Sequence, residues 1–323
     1  MKKWFKYIKY LLTIAIIFLF GIYIYRNPEI LASLKDINPL FIIITMILFL
    51  IVFLLEGIFI KITLQAFDKD ITIKESFYIS TISRIGNYLL PMRAGAIFRA
   101  TYLKNKYNFE YSKFLSTLYG YYIILFLVYS SMGIISLIIK WIFFNELYLI
   151  LLIFFSALFF AMLFLIFVRF PAKKTINTKN SFLEKVSRFL QKFIQGWDTI
   201  VKNRKLLKNL IFVTVGHVLV NTIIIFVEFI ALNITIDIPN LMLYSSLSGA
   251  SLLISLTPGS LGIREGVFLI TSQSIGLVEE QILQLAIVDR GIMFILLVIM
   301  MIFVSIFLKE FNLRDAFFAK KED

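Results

Sequence analysis

Long apolar runs alternate with short polar breaks along this chain, and their lengths predict helices that cross a membrane. Runs at about 7–25, 39–66, 114–140, 147–168, 209–232 and 283–308 reach or exceed the ~18 residues that flag a membrane span. Two further regions, within 70–113 and 241–281, are too apolar for soluble loops, yet Pro, Gly and charged residues interrupt them. Neither has an unbroken run of ~20 apolar residues on each side of its break. They are predicted as re-entrant broken hairpins. Broken backbone at membrane depth persists only where protein buries it or where it lines a polar cavity. The predicted fold class is all-α: a polytopic transmembrane helical bundle of about six full spans plus two re-entrant broken hairpins.

The two interrupted regions share a pattern. Pro91 is followed by Gly95 and Arg99, and Pro258 by Gly262, Arg264 and Glu265. Small hydroxyl-bearing residues precede each break: Ser80, Thr81 and Ser83 in one, Ser245, Ser246, Ser248 and Ser251 in the other. Glu56 and Glu228 lie in the preceding span of each half. Gly/Pro-interrupted segments in corresponding positions point to an inverted repeat. The expected organisation is a single membrane domain over 1–323, with half-repeats at 39–140 and 209–308. The hairpins are expected to break at Pro91, Gly95, Pro258, Gly259 and Gly262.

Composition agrees with the pattern. Of 323 residues, 60% are hydrophobic and 35 are Phe, and the mean hydropathy is +0.89, more apolar surface than one soluble core can bury. The net charge of +13 lies between the apolar runs rather than on a soluble face, so it reads as the positive-inside bias and not as a nucleic-acid surface. The most basic segment, 169–208, is expected in the cytoplasm. Within it, apolar residues recur at helical spacing over about 181–201, predicting an amphipathic helix that lies on the membrane surface or docks on the bundle. The basic N-terminus leads into an apolar run with no small-residue cleavage site and is read as a retained first helix. The expected location is the plasma membrane, multi-pass, with both termini cytoplasmic. One hairpin would then enter from each face. Trp4, Trp141 and Trp197 read as interfacial belt residues. With no Cys and one His, disulfides are excluded and neither a metal nor a cofactor is expected. His217 reads as a packed helix residue.

Charged side chains within a bilayer cost roughly 2.5–3.5 kcal/mol each at its centre, so they pair or line a polar cavity. The candidates are Glu56, Arg84, Arg93, Arg99, Glu228, Arg264, Glu265, Asp289 and Arg290. A guanidinium fork suits phosphate oxygens, which makes Arg93, Arg99, Arg264 and Arg290 the candidate lipid-headgroup ligands. Glu265, Glu56, Glu228 and Asp289 are candidates for charge balance or proton relay. Each has a blander reading: Arg93 and Arg99 snorkelling to the interface, Arg264 with Glu265 as a structural ion pair, Glu56 and Glu228 as neutral hydrogen-bonded acids. Asp289 and Arg290, adjacent on a helix, do not face each other and each seeks a partner on another helix. No nucleophile–base pair is visible, so no catalytic residue is assigned.

The stretches "NYLLPMRAGAIFRATYL" (87–103), "LTPGSLGIREGVF" (256–268) and "AIVDRGI" (286–292) together resemble the lysylphosphatidylglycerol synthetase transmembrane-domain family, over nearly the whole chain. That family includes the flippase-like membrane domain of the bacterial multiple peptide resistance factor. The resemblance implies translocation of anionic or aminoacylated phospholipids, or of polyprenyl-linked or other glycolipids, between leaflets. It carries over Pro91, Arg93, Gly95, Arg99, Pro258, Gly259, Gly262, Arg264, Glu265 and Arg290. Ala96 stands where relatives often carry an acid, and Ser260 where they often carry glycine. The synthetase domain is not expected in this chain. Membrane lipids are the expected partners, with a lipid-modifying enzyme or glycosyltransferase as a further candidate. The sequence leaves the oligomeric state open. Two alternatives to a flippase stand beside it: an integral-membrane transferase acting on a lipid headgroup, and a non-catalytic scaffold for a lipid-modifying enzyme.

Overall fold

A computed structural model describes residues 37–90, 93–168, 181–254 and 257–307. The first predicted span, both termini and most of the basic stretch before residue 181 lie outside them. Among the described residues, five helices are long and apolar enough to cross a membrane: α1 (Pro39–Gln65), α4 (Tyr111–Phe144), α5 (Leu149–Phe167), α7 (Arg204–Ala231) and α11 (Glu279–Phe307). The first hairpin is α2 (Ile73–Leu89) with α3 (Gly95–Tyr107), and the second is α8 (Ile238–Ser251) with α9 (Ile263–Ile270). The helix α6 (Ser181–Lys202) covers the amphipathic segment, and the short α10 (Ser272–Ile275) follows α9.

Local chemistry sets the helix ends. Asn38 accepts from the Leu40 N–H, with Pro39 in the first turn of α1. Thr72 caps α2 through the Glu75 N–H, Asn203 caps α7 through Leu206, and Asp237 caps α8 through Asn240. Each cap satisfies a donor that the helix itself leaves open. Asn108 and Asn145 end α3 and α4 in the left-handed region, which Asn tolerates better than most side chains.

Packing follows small residues rather than amphipathic stripes. Both faces of α1 are apolar: Leu40, Ile43, Ile47 and Ile51 are exposed, while Phe49, Val52, Phe53 and Ile60 are buried. In lipid, apolar exposure carries no penalty and close approach decides which face packs. A Cβ on Gly57 would fall 3.0 Å from the backbone of Phe77 in α2. A Cβ on Gly133 of α4 would fall 2.9 Å from the ring of Phe155 in α5, and one on Gly249 of α8 would fall 2.2 Å from Tyr129 of α4.

The longest packing runs are α1 against α7, α8 along α4, α4 against α5, and α1 against α2. α2 also meets α11, more sparsely than α8 meets α4. Each hairpin thus leans on a long helix that follows the other hairpin in sequence.

The amphipathic helix α6 docks on α4. Trp197 is 2% exposed and Ile200 1%, with Trp197 seated over Gly120. The expectation of an interfacial belt position for Trp197 is therefore corrected: gaps left by Gly120 and Ser116 on α4 accept this face of α6 and draw the indole inward.

Candidate functional site

The first hairpin closes where two glycines touch. A Cβ on Gly86 would fall 2.7 Å from the Gly95 Cα, and one on Gly95 would fall 1.8 Å from the Ser83 carbonyl oxygen. Only hydrogen fits there, so the arms of α2 and α3 cross at backbone contact. At the other end of the hairpin, buried Glu75 accepts from Tyr102 Oη (2.5 Å), Tyr107 Oη (2.7 Å) and Lys106 Nζ (3.0 Å). This ties the C-terminal turns of α3 to the start of α2. Arg93, between the arms, has φ 53°, a conformation unusual for a residue with a side chain. Pro91 lies outside the described residues.

The second hairpin breaks differently. A 3-10 turn over Pro258–Ser260 and the residue Gly262 link α8 to α9. Gly259 (φ 56°), Ser260 (φ 57°) and Gly262 (φ 80°) all sit at positive φ, where glycine is at home. The Glu265 carboxylate turns back to accept the Gly262 N–H at 2.7 Å, capping α9.

The two breaks meet. Arg93 Nη2 donates to the Leu252 carbonyl of the second hairpin at 2.5 Å. A Cβ on Gly259 would fall 3.3 Å from the Tyr88 ring of the first. Between them lies a cavity of about 250 Å³ lined by residues of both hairpins and of α1, α4, α7 and α11. Arg93, Arg99, Arg264 and Arg290 all line it, as do Glu56, Asp289 and Gly259. Glu265 reaches Arg290 from just outside the lining. Glu228 is buried (3% exposed) with its Oε1 unpartnered, and it is not part of the cavity wall.

Charge pairing divides these residues sharply. Arg264 binds Asp289, and Arg290 binds Glu265 through both Nε (3.0 Å) and Nη2 (2.5 Å). Arg290 Nη1 also donates to the Gly259 carbonyl at 3.1 Å. The pairing is interhelical: adjacent Asp289 and Arg290 on α11 each bind a partner on α9. Arg264 also approaches Glu265 at 3.9 Å, so the expected local pair persists as a long contact beside the closer crossed pairs. Arg84 binds Glu56, with His217 Nε2 3.4 Å from the same carboxylate oxygen.

Arg93 and Arg99 meet no carboxylate among the described residues. Arg93 lies over the Tyr122 ring at 4.6 Å and Arg99 over Phe114 at 5.3 Å. Arg99 Nε is buried with no hydrogen-bond partner, as are Asn87 Oδ1 and Arg264 Nε, and all three residues line the cavity. Neither arginine reads as snorkelling, since both point into the protein.

Several lining residues were not singled out from sequence. Tyr88 donates to the Arg290 carbonyl at 3.1 Å; Asn87, Tyr122 and Asn221 also line the wall. His217, read as a packed helix residue, is buried but stands at the cavity beside Glu56. An available signal was its place four residues before Asn221, on the same span that carries Glu228.

No curated protein and no solved structure matches the chain. A family model described as the lysylphosphatidylglycerol synthase TM region matches residues 8–300. With its long apolar helices, this chain is an integral membrane protein that belongs to the lysylphosphatidylglycerol synthase TM-region family, a membrane domain tied to lipid handling.

Proposed function

We propose that the protein moves a lipid with an anionic headgroup between membrane leaflets, without a nucleotide. The observation that carries this reading is the pair Arg93 and Arg99, which line the central cavity and form no ion pair among the described residues, with Glu56, already bound by Arg84, acting on Arg99 only at longer range. A buried guanidinium without a counter-charge is costly, and an incoming phosphate relieves that cost. Arg264 and Arg290, held by Asp289 and Glu265, would orient the headgroup at a second depth. Glu56, Glu228, Asp289 and Glu265 would balance charge or relay protons as it passes.

The architecture supports movement. Half-repeats at 39–140 and 209–308 would form an inverted repeat, and the crossed packing of each hairpin on a long helix of the other half fits that arrangement. By the positive-inside rule, 169–208 and both termini would lie in the cytoplasm. One hairpin would then open the cavity to each side of the plasma membrane in turn. Transporters with broken helices at a repeat interface work this way.

Reconstitution in liposomes with labelled lipids tests the proposal. The expected result is protein-dependent leaflet exchange of an anionic phospholipid that falls at least about tenfold with Arg99→Gln, equivalent to ~1.4 kcal/mol of lost stabilisation. No exchange across a broad lipid panel, with and without an imposed pH gradient, overturns it.

A further inference from the structure

The charge of the cavity wall points to a narrower substrate than an anionic lipid in general. Five arginines line it: Arg84, Arg93, Arg99, Arg264 and Arg290; Glu56 and Asp289 are the carboxylates among the lining residues. Glu56 pairs with Arg84, acting more weakly on Arg99, and Asp289 pairs with Arg264. Arg290 is neutralised from behind by Glu265. Two positive charges remain, on Arg93 and Arg99, and both belong to the first break. Arg93 spends one donor on the Leu252 carbonyl and rests on Tyr122, while Arg99 keeps a buried Nε without a partner. Carbonyls and ring faces solvate a guanidinium but do not cancel its charge.

We infer that the site takes a lipid whose phosphate carries two negative charges, a phosphomonoester or a diphosphate, in preference to a phosphodiester. This rests on the lipid-translocation reading above and goes beyond it by naming the headgroup class. A phosphodiester such as phosphatidylglycerol brings one charge and leaves one arginine uncompensated. A zwitterionic headgroup brings none in sum, and an aminoacylated one adds positive charge to a wall that already has an excess. A phosphomonoester is close to doubly charged above its second pKa near about 6, and its three free oxygens suit two guanidinium forks at once. The volume of the cavity is sufficient for such a group. At about 250 Å³ it holds the equivalent of roughly eight waters at ~30 Å³ each, room for one or two phosphates and their hydration.

Binding tests this without transport. Purified full-length protein in detergent micelles is titrated at pH 7.5 with dioctanoyl phosphatidate, dioctanoyl phosphatidylglycerol, a short-chain polyprenyl diphosphate and inorganic pyrophosphate, and affinities are read by calorimetry. Phosphatidate and the polyprenyl diphosphate are expected to bind at least about tenfold tighter than phosphatidylglycerol, the weight of one charge-assisted contact. Arg93→Gln and Arg99→Gln should each remove most of that preference, while Arg99→Lys, which keeps the charge, should retain it. Arg188→Gln, on the outer face of α6, should change nothing. Gel filtration of each variant guards against misfolding, and the lysine variant keeps the test informative if a glutamine variant fails to fold.

Equal or tighter binding of phosphatidylglycerol by folded wild-type protein overturns the inference. So does retention of the preference in both glutamine variants. Inorganic pyrophosphate binding as tightly as the lipids would assign the site to free phosphate instead. Leaflet exchange that favours phosphatidylglycerol would sink the headgroup preference and leave translocation standing. Tight phosphatidate binding without any exchange would do the reverse.

Discussion

The two hairpin breaks carry similar residues and hold them in opposite ways. At the second break, Arg264 and Arg290 are bound by Asp289 and Glu265, and Glu265 also caps the helix that starts there. The carboxylates pair with both guanidinium groups and lock α9 to α11, although Arg264 Nε itself has no hydrogen-bond partner. At the first break, Arg93 and Arg99 rest on aromatic rings and a single carbonyl and form no ion pair among the described residues, Glu56 acting on Arg99 only from beyond ion-pair distance. The second break is thus held largely by its own ion pairs, and the first, on the proposed reading, would be completed by a ligand. A motif shared in sequence diverges in role because the helices packed against it differ. α11 supplies an acid to the second break, and α4 supplies rings to the first.

The comparison breaks most visibly at Glu265. Glu265→Ala leaves Arg290 buried without its counter-charge and the Gly262 N–H without its acceptor, at an expected cost of about 3–5 kcal/mol. The thermal unfolding midpoint in detergent should drop by many degrees, and a wild-type midpoint would show that the second break is not a scaffold. Gly95→Ala comes next. Its Cβ would sit 1.8 Å from the Ser83 carbonyl oxygen, so the arms must separate, at about 1–3 kcal/mol. Lower thermal stability and faster hydrogen exchange in α2 and α3 would register it.

Arg99→Gln should affect function and spare stability. Its unfolding midpoint should stay within about 1 kcal/mol of wild type, because no carboxylate is left stranded. Leaflet exchange should nevertheless fall at least about tenfold. A stability loss like that of Glu265→Ala would erase the distinction between the two breaks.

The smallest effect lies outside both hairpins. The Lys192 ammonium hydrogen-bonds Glu110 at 2.6 Å and holds its carboxyl below the usual carboxylate range. Because the folded pKa is depressed, this contribution to α6 docking is complete above the ordinary carboxylate range and is lost as pH falls through the folded value. Exchange protection in α6 should be flat from pH 8 to 6 and decline slightly in acid. Lys192→Ala should remove that decline, with an effect near 0.5 kcal/mol for a partly exposed pair.

Much of the architecture was legible in the chain. The apolar runs mark α1, α4, α5, α7 and α11, since each must supply its own hydrogen bonds across the bilayer. Pro258, Gly259 and Gly262 mark the second break, since positive φ and a missing N–H leave a direct trace in residue type. The intramembrane arginines and acids were equally visible as residues too costly to be incidental. Their partners were not. Arg264 lies next to Glu265 in sequence, yet its partner is Asp289, contributed by α11. The inward turn of Trp197 depends on Gly120, far away in the chain. His217 becomes notable only because α1 brings Glu56 to it.

By itself, then, the sequence determined that the chain enters a membrane, where its helices begin and end, and which charges must be sheltered there. Those are local properties, set by transfer free energy, backbone hydrogen bonding and the steric limits of Gly and Pro. Only the tertiary structure decided which charges cancel and which do not. Cancellation depends on distances of a few ångströms between separate helices whose paired residues lie 25 to 28 positions apart, and electrostatic energy inside a low-dielectric wall changes steeply over that range. The excess positive charge at Arg93 and Arg99 is therefore a property of the fold, although each arginine is written plainly in the sequence.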